Sequence, residues 1–349
     1  MTRRRTTGRP ANALYPLATC ALLALLAACQ AGALDAPYDN YLQRLGRTLS
    51  VTVPGVVFSA PPRAPRPAEL KQDIASSSLD ALDFLAISGC SVQITIGKRN
   101  SSLGRMARSS QRLLLELEYL LLAPECIDWQ RTQGRDALAD ELQQAWNLKR
   151  EQLPTLVFNA TLGSEEYRSL WRIPVNPGDY PASISSRVIS ALLAINEQVK
   201  RWLDGDYEAD NHSFEILLSE VAAGDGGSLL QALAHQSDWL DAANLMVAER
   251  MTRGPLCRPG IRPQAADILA NVVRKYFIGE VQPRAAALGR RAHELFPAVR
   301  GLEELLAGGL PATYANWRAE RDERIAYLAA APRRHVEKLI ALQKPCQSQ

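Results

Sequence analysis

The chain has 349 residues, of which 47% are hydrophobic and 22% are charged, a composition typical of a globular protein and not of a disordered one. Its formal net charge is +3, but residues 1–28 carry four arginines and no acidic residue, so that residues 29–349 have a formal charge of −1. Because a polyanion binder needs a clustered basic surface and only short basic stretches remain, the composition argues against a nucleic-acid partner.

The first 28 residues have the parts of a secretory signal. Arginines precede an apolar run from Leu17 to Ala27, and Ala28 directly precedes Cys29. The run is shorter than the about 20 apolar residues that a membrane-spanning helix needs. Leu26-Ala27-Ala28-Cys29 resembles the lipobox of bacterial lipoproteins, which implies cleavage before Cys29, diacylation of its thiol and acylation of the new amino terminus. Several acyl chains together make a stable membrane anchor.

The residue after Cys29 indicates which membrane receives the lipid anchor. Gln30, and not an aspartate, follows the cysteine. By resemblance to lipoprotein sorting rules, this implies transfer to the outer membrane, with the globular part facing the periplasm.

Segment 29–78 is predicted to hold the anchor, a short helix at Tyr38–Leu45 and a connector from Pro54 to Pro67. We expect the connector to lie extended on the surface, because proline fixes φ.

Residues 79–349 are predicted to form an all-α, multi-helix globular domain, because apolar residues recur at helical spacing almost throughout. This domain is either undivided or built from two packed halves, 79–205 and 206–349. Only Val92–Ile96 alternates like a strand, and a helix or an extended segment is equally compatible with it. A first long helix is predicted at Asn100–Ala123, ended by Pro124. The further predicted helices are Asp136–Phe158, Ser164–Trp171, Ile184–Leu203, Ser213–Ala223, Ser228–Arg253, Gln264–Gly279, Pro283–Ala307, Pro311–Ala330 and Arg333–Leu342.

Four of the six cysteines lie in this helical part. An even number of cysteines in an exported protein predicts disulfides. Of the three possible pairings we favour Cys90–Cys126 with Cys257–Cys346, because each pair then brackets one helical region. Since the chain has no CxxC or HExxH spacing, we predict neither a metal site nor a cofactor.

Catalytic motifs are absent from the sequence. It contains no GxSxG, no P-loop and no GxGxxG, and its four histidines stand outside any motif. A hydrolase of the cell envelope would need a pair of carboxylates, or a nucleophile with its base, converging in a cleft. The candidates for such a pair are Glu116, Glu118, Glu165 and Glu166.

An acidic segment between two predicted helices has the oxygen spacing of a calcium loop. Counted from its first residue, the oxygen-bearing side chains at positions one, three, five, seven and twelve are Asp204, Asp206, Glu208, Asp210 and Glu215. However, Ala209 replaces the glycine of the sharp turn, and Asn211 replaces an aliphatic residue. An acidic turn between helices explains the segment more simply, and calcium is the alternative.

A basic segment before the first long helix suggests an anion site. Asn100 or Ser101 can cap that helix, and free backbone amides beside cationic side chains can hold a phosphate or a carboxylate. The candidate residues are Lys98, Arg99, Asn100, Ser101 and Arg105. A helix cap with a solvated basic face is the simpler interpretation.

Two landmarks carry a resemblance to a known family. The first combines Gly89-Cys90 and Gln93 with segment 99–105, Arg112-Leu113 and Cys126, and the second is segment 159–166, Asn-Ala-Thr-Leu-Gly-Ser-Glu-Glu. They resemble domain-of-unknown-function family 3080, an uncharacterised family of proteobacterial lipoproteins, over nearly the whole mature chain. The resemblance implies an envelope location and supports the Cys90–Cys126 pairing, and it supplies no catalytic residues.

Together these observations predict a helical, non-enzymatic envelope lipoprotein. The membrane is its first partner, through the lipid anchor, and a partner protein, an envelope polymer or an amphiphile is the expected ligand. The alternative is a peptidoglycan hydrolase or lyase.

Overall fold

The computed structural model describes residues 35–75, 87, 89–175, 180 and 186–346. Within these ranges the chain is helical and has no named strand, which confirms the all-α prediction. The signal segment and Cys29 lie outside the described residues, so both stay predictions. None of the described helices is long and apolar enough to cross a membrane.

Fourteen α-helices are described. They are α1 (35–49), α2 (Pro67–Leu70), α3 (Val92–Asn100), α4 (Ser102–Arg105), α5 (Ser109–Thr132), α6 (Asp136–Ala160), α7 (Glu165–Leu170), α8 (Arg187–Asp204), α9 (Asn211–Ala222), α10 (Gly226–Thr252), α11 (Gln264–Val272), α12 (Gln282–Leu305), α13 (Ala312–Ala329) and α14 (Ala331–Gln343). Each predicted helix from Asp136 onward is present with bounds within three residues, except that the turn after α11 is a π-helix, Val273–Val281. The ambiguous segment Val92–Ile96 is helical.

The predicted helix Asn100–Ala123 is wrong at both ends. Asn100 ends α3, and α5 begins only at Ser109 and continues through Pro124. Pro124 has no N–H to donate to the Leu120 carbonyl one turn earlier, which normally breaks a helix. Here the Trp146 indole nitrogen on α6 donates to that carbonyl at 3.0 Å. A partner from the neighbouring helix therefore satisfies the group that proline leaves free.

Three apolar clusters form the core. The largest joins α5, α6, α8 and α9 to α10, α12 and α13, the second joins α1 to α10, α11 and α14, and the third lies between α3, α5 and α6. Apolar contacts of the largest cluster thus cross the boundary between residues 205 and 206, and the division into two halves stays a prediction.

Helix α1 belongs to the core. Tyr38, Tyr41, Leu42 and Leu45 are fully buried in the second cluster. The proline-rich connector after it has neither helix nor strand from 51 to 66, and it lies against the helices where Ser59 contacts α10. α1 is longer than the predicted Tyr38–Leu45, and Leu49 in its last turn is also buried in this cluster.

Both predicted disulfides are confirmed. Cys90 is bonded to Cys126 with their Cα atoms 5.5 Å apart, and Cys257 is bonded to Cys346 with their Cα atoms 5.0 Å apart. The first bridge fastens the start of α3 to α5, and the second fastens the loop after α10 to the last turn of the described chain.

A fully buried histidine joins α1, α10 and α14. The Nε2 atom of His335 lies 2.7 Å from the Tyr41 hydroxyl, and its Nδ1 atom lies 2.8 Å from Oδ1 of Asn244. Since the amide oxygen can only accept, Nδ1 carries the proton and Nε2 accepts from tyrosine. Burial lowers the pKa of His335 to about 4, with Asp241 opposing the shift.

We expect acid to destabilise the fold through His335. Because its pKa is lower in the folded protein than in the unfolded chain, the unfolded chain takes up a proton first, and stability is lost as the pH falls from about 6.5 towards 4. The expected loss between pH 7.5 and 4.5 is about 2–3 kcal/mol. Urea unfolding of the wild type and of His335→Gln at both pH values measures it, and an equal loss in the two proteins would contradict this role.

Candidate functional site

The basic segment 98–105 is engaged with carboxylates of α5. The Lys98 ammonium lies 3.1 Å from Glu118, and the Arg99 Nε atom lies 2.6 Å from Glu116. Ser101 caps only the four-residue α4, where it accepts from the Gly104 amide. Two cations of the candidate anion site are therefore already paired, and the site stays a prediction.

Glu116 lies in a buried ion-pair cluster. Its side chain is 1% exposed and contacts both Arg99 and the buried Lys149. Burial raises the pKa of Glu116, but the two cations outweigh burial and the net shift is downward, whereas burial lowers the pKa of Lys149. Such a doubly paired carboxylate ties α3 and α6 to α5, and it does not line any of the larger cavities described below.

The carboxylates of the acidic segment do not converge. Four of them each have a separate partner within the protein, in the pairs Asp204–Lys200, Asp206–Arg201, Asp210–Ser213 and Glu215–Ser110. Asp206 also accepts from the Glu208 amide. Among the described residues, no group of three or more histidines, cysteines or acids is placed to hold a metal ion. The acidic segment between α8 and α9 thus holds these carboxylates in separate hydrogen bonds, and both the acidic turn and the calcium loop stay predictions.

A cavity of about 500 Å³ lies beside the second landmark, between the starts of α5 and α7. Asn159 joins this landmark to the segment after α2, because its amide accepts from the Gln72 amide at 3.0 Å and donates to the Gln72 carbonyl at 2.8 Å. Glu165 and Glu166 line this cavity, and Glu116 and Glu118 do not. The four candidate carboxylates are thus distributed over separate places.

A second, larger cavity of about 700 Å³, which we name the arginine cavity, lies where four segments meet. These are the start of α1, the connector at 58–64, the end of α7 with the following loop at 168–175, and the outward face of α10. Its cationic lining is Arg63, Arg168 and Arg172. Its apolar lining includes Phe58, Pro61, Trp171, Ile173 and Pro174.

His235 forms part of the wall on α10. Its Nε2 atom lies 2.7 Å from an Asp35 carboxylate oxygen and 3.2 Å from the Trp239 indole nitrogen, and the Phe58 ring stacks on it at 5.0 Å. Burial lowers the pKa of His235 and outweighs Asp35, which raises it. An aromatic stack and one hydrogen bond thus join α1, the connector and α10 at this wall.

Asp238, one turn farther along α10, holds the connector in place. It accepts from the Ser59 amide at 2.8 Å and from the Ser59 hydroxyl at 3.0 Å, and Arg324 donates to the same hydroxyl. Ser59 therefore donates to a carboxylate and not to His235. This arrangement positions the connector, and it lacks the contact between serine and imidazole that a nucleophilic serine needs.

Two glycines let α10 approach the loop on the opposite wall. A Cβ atom on Gly227 would lie 2.2 Å from the Arg172 carbonyl oxygen, and one on Gly226 would lie 3.1 Å from the Leu170 carbonyl oxygen and the Trp171 ring. Because a Cβ atom on Gly227 would overlap the backbone of Arg172, glycine is required at that position, whereas Gly226 makes a tight contact. The close approach holds the start of α10 against the loop that carries Trp171 and Arg172.

The three arginines are exposed at the cavity and only weakly paired. Arg168 lies 3.7 Å from Glu165, and Arg172 donates to Ser169 at 3.4 Å. Arg63 forms no ion pair with the described residues. Both acids of the lining, in contrast, accept short hydrogen bonds from neutral donors. The cations of this lining therefore lack close carboxylate partners among the described residues, and two buried atoms of lining residues, Trp171 Nε1 and Gln231 Oε1, have no hydrogen-bond partner there.

The comparison with protein families decides the relationship. Residues 38–346 match the model of the family described as a protein of unknown function, DUF3080. The chain belongs to this family. No curated protein and no solved structure matches the chain.

In this DUF3080 chain neither of the two sequence landmarks lines the arginine cavity. The first lies in α3–α5 around the Cys90–Cys126 bridge, and the second begins the segment that ends at Trp171. Sequence analysis missed the arginine cavity, since its residues come from four separate segments. The signal that could have indicated it is Gly226-Gly227 followed by His235 and Asp238, which share one helical face.

Proposed function

We propose that this chain is an envelope lipoprotein, anchored through Cys29 in the outer membrane and facing the periplasm, whose arginine cavity binds an anionic ligand with an apolar part. The amino-terminal sequence supports the anchor and the location. The cavity supports the binding role, and it favours an amphiphile over a partner protein or a polymer.

The observation that carries this proposal is the combination of three arginines with an apolar, aromatic lining in one cavity. Its volume of about 700 Å³ lies in the range typical of small-molecule sites. Arginine binds carboxylates and phosphates through two parallel hydrogen bonds, and Trp171, Ile173 and Pro174 offer apolar surface beside them. An ion without an apolar part would leave that surface unused.

Binding is favoured over hydrolysis by the contacts of the polar residues in the cavity. Ser59 is bonded to Asp238, and His235 is bonded to Asp35. None of the candidate carboxylates Glu116, Glu118, Glu165 and Glu166 lines this cavity. The groups that would act as acid, base or nucleophile are thus used to hold α1 and the connector against α10.

Hexyl phosphate is expected to raise the thermal midpoint of the acylated protein in a nonionic detergent, whereas hexyl glucoside is not. Ligand at a hundredfold excess over Kd stabilises the folded state by about 2.7 kcal/mol, which corresponds to a shift of several degrees. The shift should disappear in Arg63→Gln/Arg172→Gln and persist in Arg47→Gln/Arg290→Gln, which removes two exposed arginines elsewhere. Equal shifts with phosphate and glucoside would contradict anion binding.

Replacing Cys29 by alanine is expected to abolish lipid attachment. A thioether-linked anchor needs the thiol, and several chains at about 0.8 kcal/mol per buried methylene hold the protein on the membrane. Metabolic labelling with palmitate and membrane fractionation measure the effect. Unchanged labelling, or unchanged membrane association of Cys29→Ala, would reject the anchor.

A further inference from the structure

We infer that the arginine cavity binds the phosphate headgroup of an anionic phospholipid drawn from the membrane that carries the anchor. This inference rests on the proposed function, since it names the ligand class of the same cavity. Three independent features support it: the position of the cavity relative to the anchor, the exposed apolar side chains beside it, and the distribution of charge in its lining.

The cavity lies close to the anchor along the chain. Asp35 lines the cavity, and it follows Cys29 by six residues. Six residues span at most about 20 Å even when fully extended. The acylated cysteine therefore holds this end of the protein at the membrane surface, and the cavity is within the reach of a lipid headgroup.

Exposed apolar side chains mark the same end of the molecule. Phe58 and Val175 line the cavity and are 53% and 105% exposed, and Val57, which precedes Phe58 in the chain, is 86% exposed. Isolated exposed apolar residues are ordinary, but a set at one cavity indicates an interaction surface. Beside a lipid anchor, such residues can enter the interface between headgroups and acyl chains.

The charges suit a phosphodiester. Asp35 and Asp238 are held by His235 and Ser59, while Arg63 and Arg172 remain exposed with no carboxylate within ion-pair distance among the described residues. A phosphate between these arginines gains charge-assisted hydrogen bonds. The glycerol and the first part of an acyl chain can then lie on the apolar lining around Trp171.

The test uses the mature acylated protein in nanodiscs made of phosphatidylglycerol and phosphatidylcholine in equal amounts. Native mass spectrometry after release into detergent measures which phospholipid stays bound. We expect phosphatidylglycerol to be retained at least tenfold over phosphatidylcholine by the wild type and by Arg47→Gln/Arg290→Gln. In Arg63→Gln/Arg172→Gln we expect this preference to fall at least tenfold.

Further measurements distinguish a failure of this inference from a failure of the proposed function. Retention without headgroup preference, displacement by inorganic phosphate at a concentration no higher than that of the lipid, or displacement by soluble peptidoglycan fragments would overturn the lipid assignment. If hexyl phosphate still raises the thermal midpoint in these cases, the proposed anion-binding function stands. If neither hexyl phosphate nor phosphatidylglycerol binds, both fail.

Discussion

Replacing Glu303 by leucine is expected to lower the free energy of unfolding by about 3–5 kcal/mol, because it removes the buried counter-ion of Arg321 and leaves only the partly exposed Asp322 beside that buried charge. Glu303 on α12 is fully buried, and Arg321 on α13 is 1% exposed. The two guanidinium Nη atoms lie 2.7 and 2.9 Å from the two carboxylate oxygens. Urea or thermal unfolding of Glu303→Leu measures the loss.

The same carboxylate satisfies two buried hydroxyl groups. Tyr314 donates to Glu303 at 2.6 Å, and Tyr167 lies 3.3 Å from it. Burial raises the pKa of both tyrosines, with the nearby carboxylate adding to the shift, so both remain protonated donors. Leucine would leave both hydroxyl groups without this acceptor and would leave the guanidinium with Asp322 alone, which accounts for the size of the expected effect.

The Glu303–Arg321 pair also contacts Trp171, which lines the arginine cavity. The Arg321 guanidinium lies 4.9 Å from the ring centroids of both Trp171 and Trp317. Burial lowers the pKa of Arg321, but Glu303 and the neighbouring tyrosines outweigh burial and raise it. Since Trp171 lines the cavity, we expect Glu303→Leu to weaken hexyl phosphate binding as well.

Two controls test the pairing. Glu303→Leu/Arg321→Met removes both charges and is expected to be more stable than Glu303→Leu, because no buried charge remains unpaired. Glu337→Leu breaks the exposed Arg333–Glu337 pair, whose side chains are 85% and 60% exposed, and is expected to change stability by less than about 0.5 kcal/mol. A similar small loss for Glu303→Leu would contradict the argument.

Removing the bridge between Cys257 and Cys346 by changing both to alanine is expected to cost about 4–5 kcal/mol. The bridge closes a loop with a sequence separation of 89, and the chain-entropy model assigns a long loop a cost of this order when the cross-link is lost. Both cysteines are buried in the second core cluster, so their loss also exposes packed surface when the chain end separates.

The matched control is Cys90→Ala/Cys126→Ala, which opens a loop with a separation of 36. Its expected loss is about 4 kcal/mol or slightly less, because loop entropy grows only logarithmically with length. Urea unfolding under non-reducing conditions compares the variants with the wild type. A loss below about 1 kcal/mol in the longer loop would show that local packing already holds the carboxyl-terminal end.

Most helices could be located from the sequence because their signals are local. Ser164 and Asp210 cap α7 and α9 by accepting from amides three residues later, and apolar spacing marks the helices between them. The cysteine pairing was also accessible, since four cysteines in the helical part allow only three pairings. Helix positions depend on residues close in sequence, and the disulfides depend on a choice among only a few cysteine pairings.

The tertiary structure alone decided where α5 runs and where the cavity lies. Pro124 predicts a helix end, but Trp146 on the next helix satisfies the free carbonyl. Asp35 meets His235 across 200 positions, and Ser59 meets Asp238 across 179. No local pattern encodes such contacts, because they depend on how the helices pack, and packing is determined by the apolar faces of all of them at once.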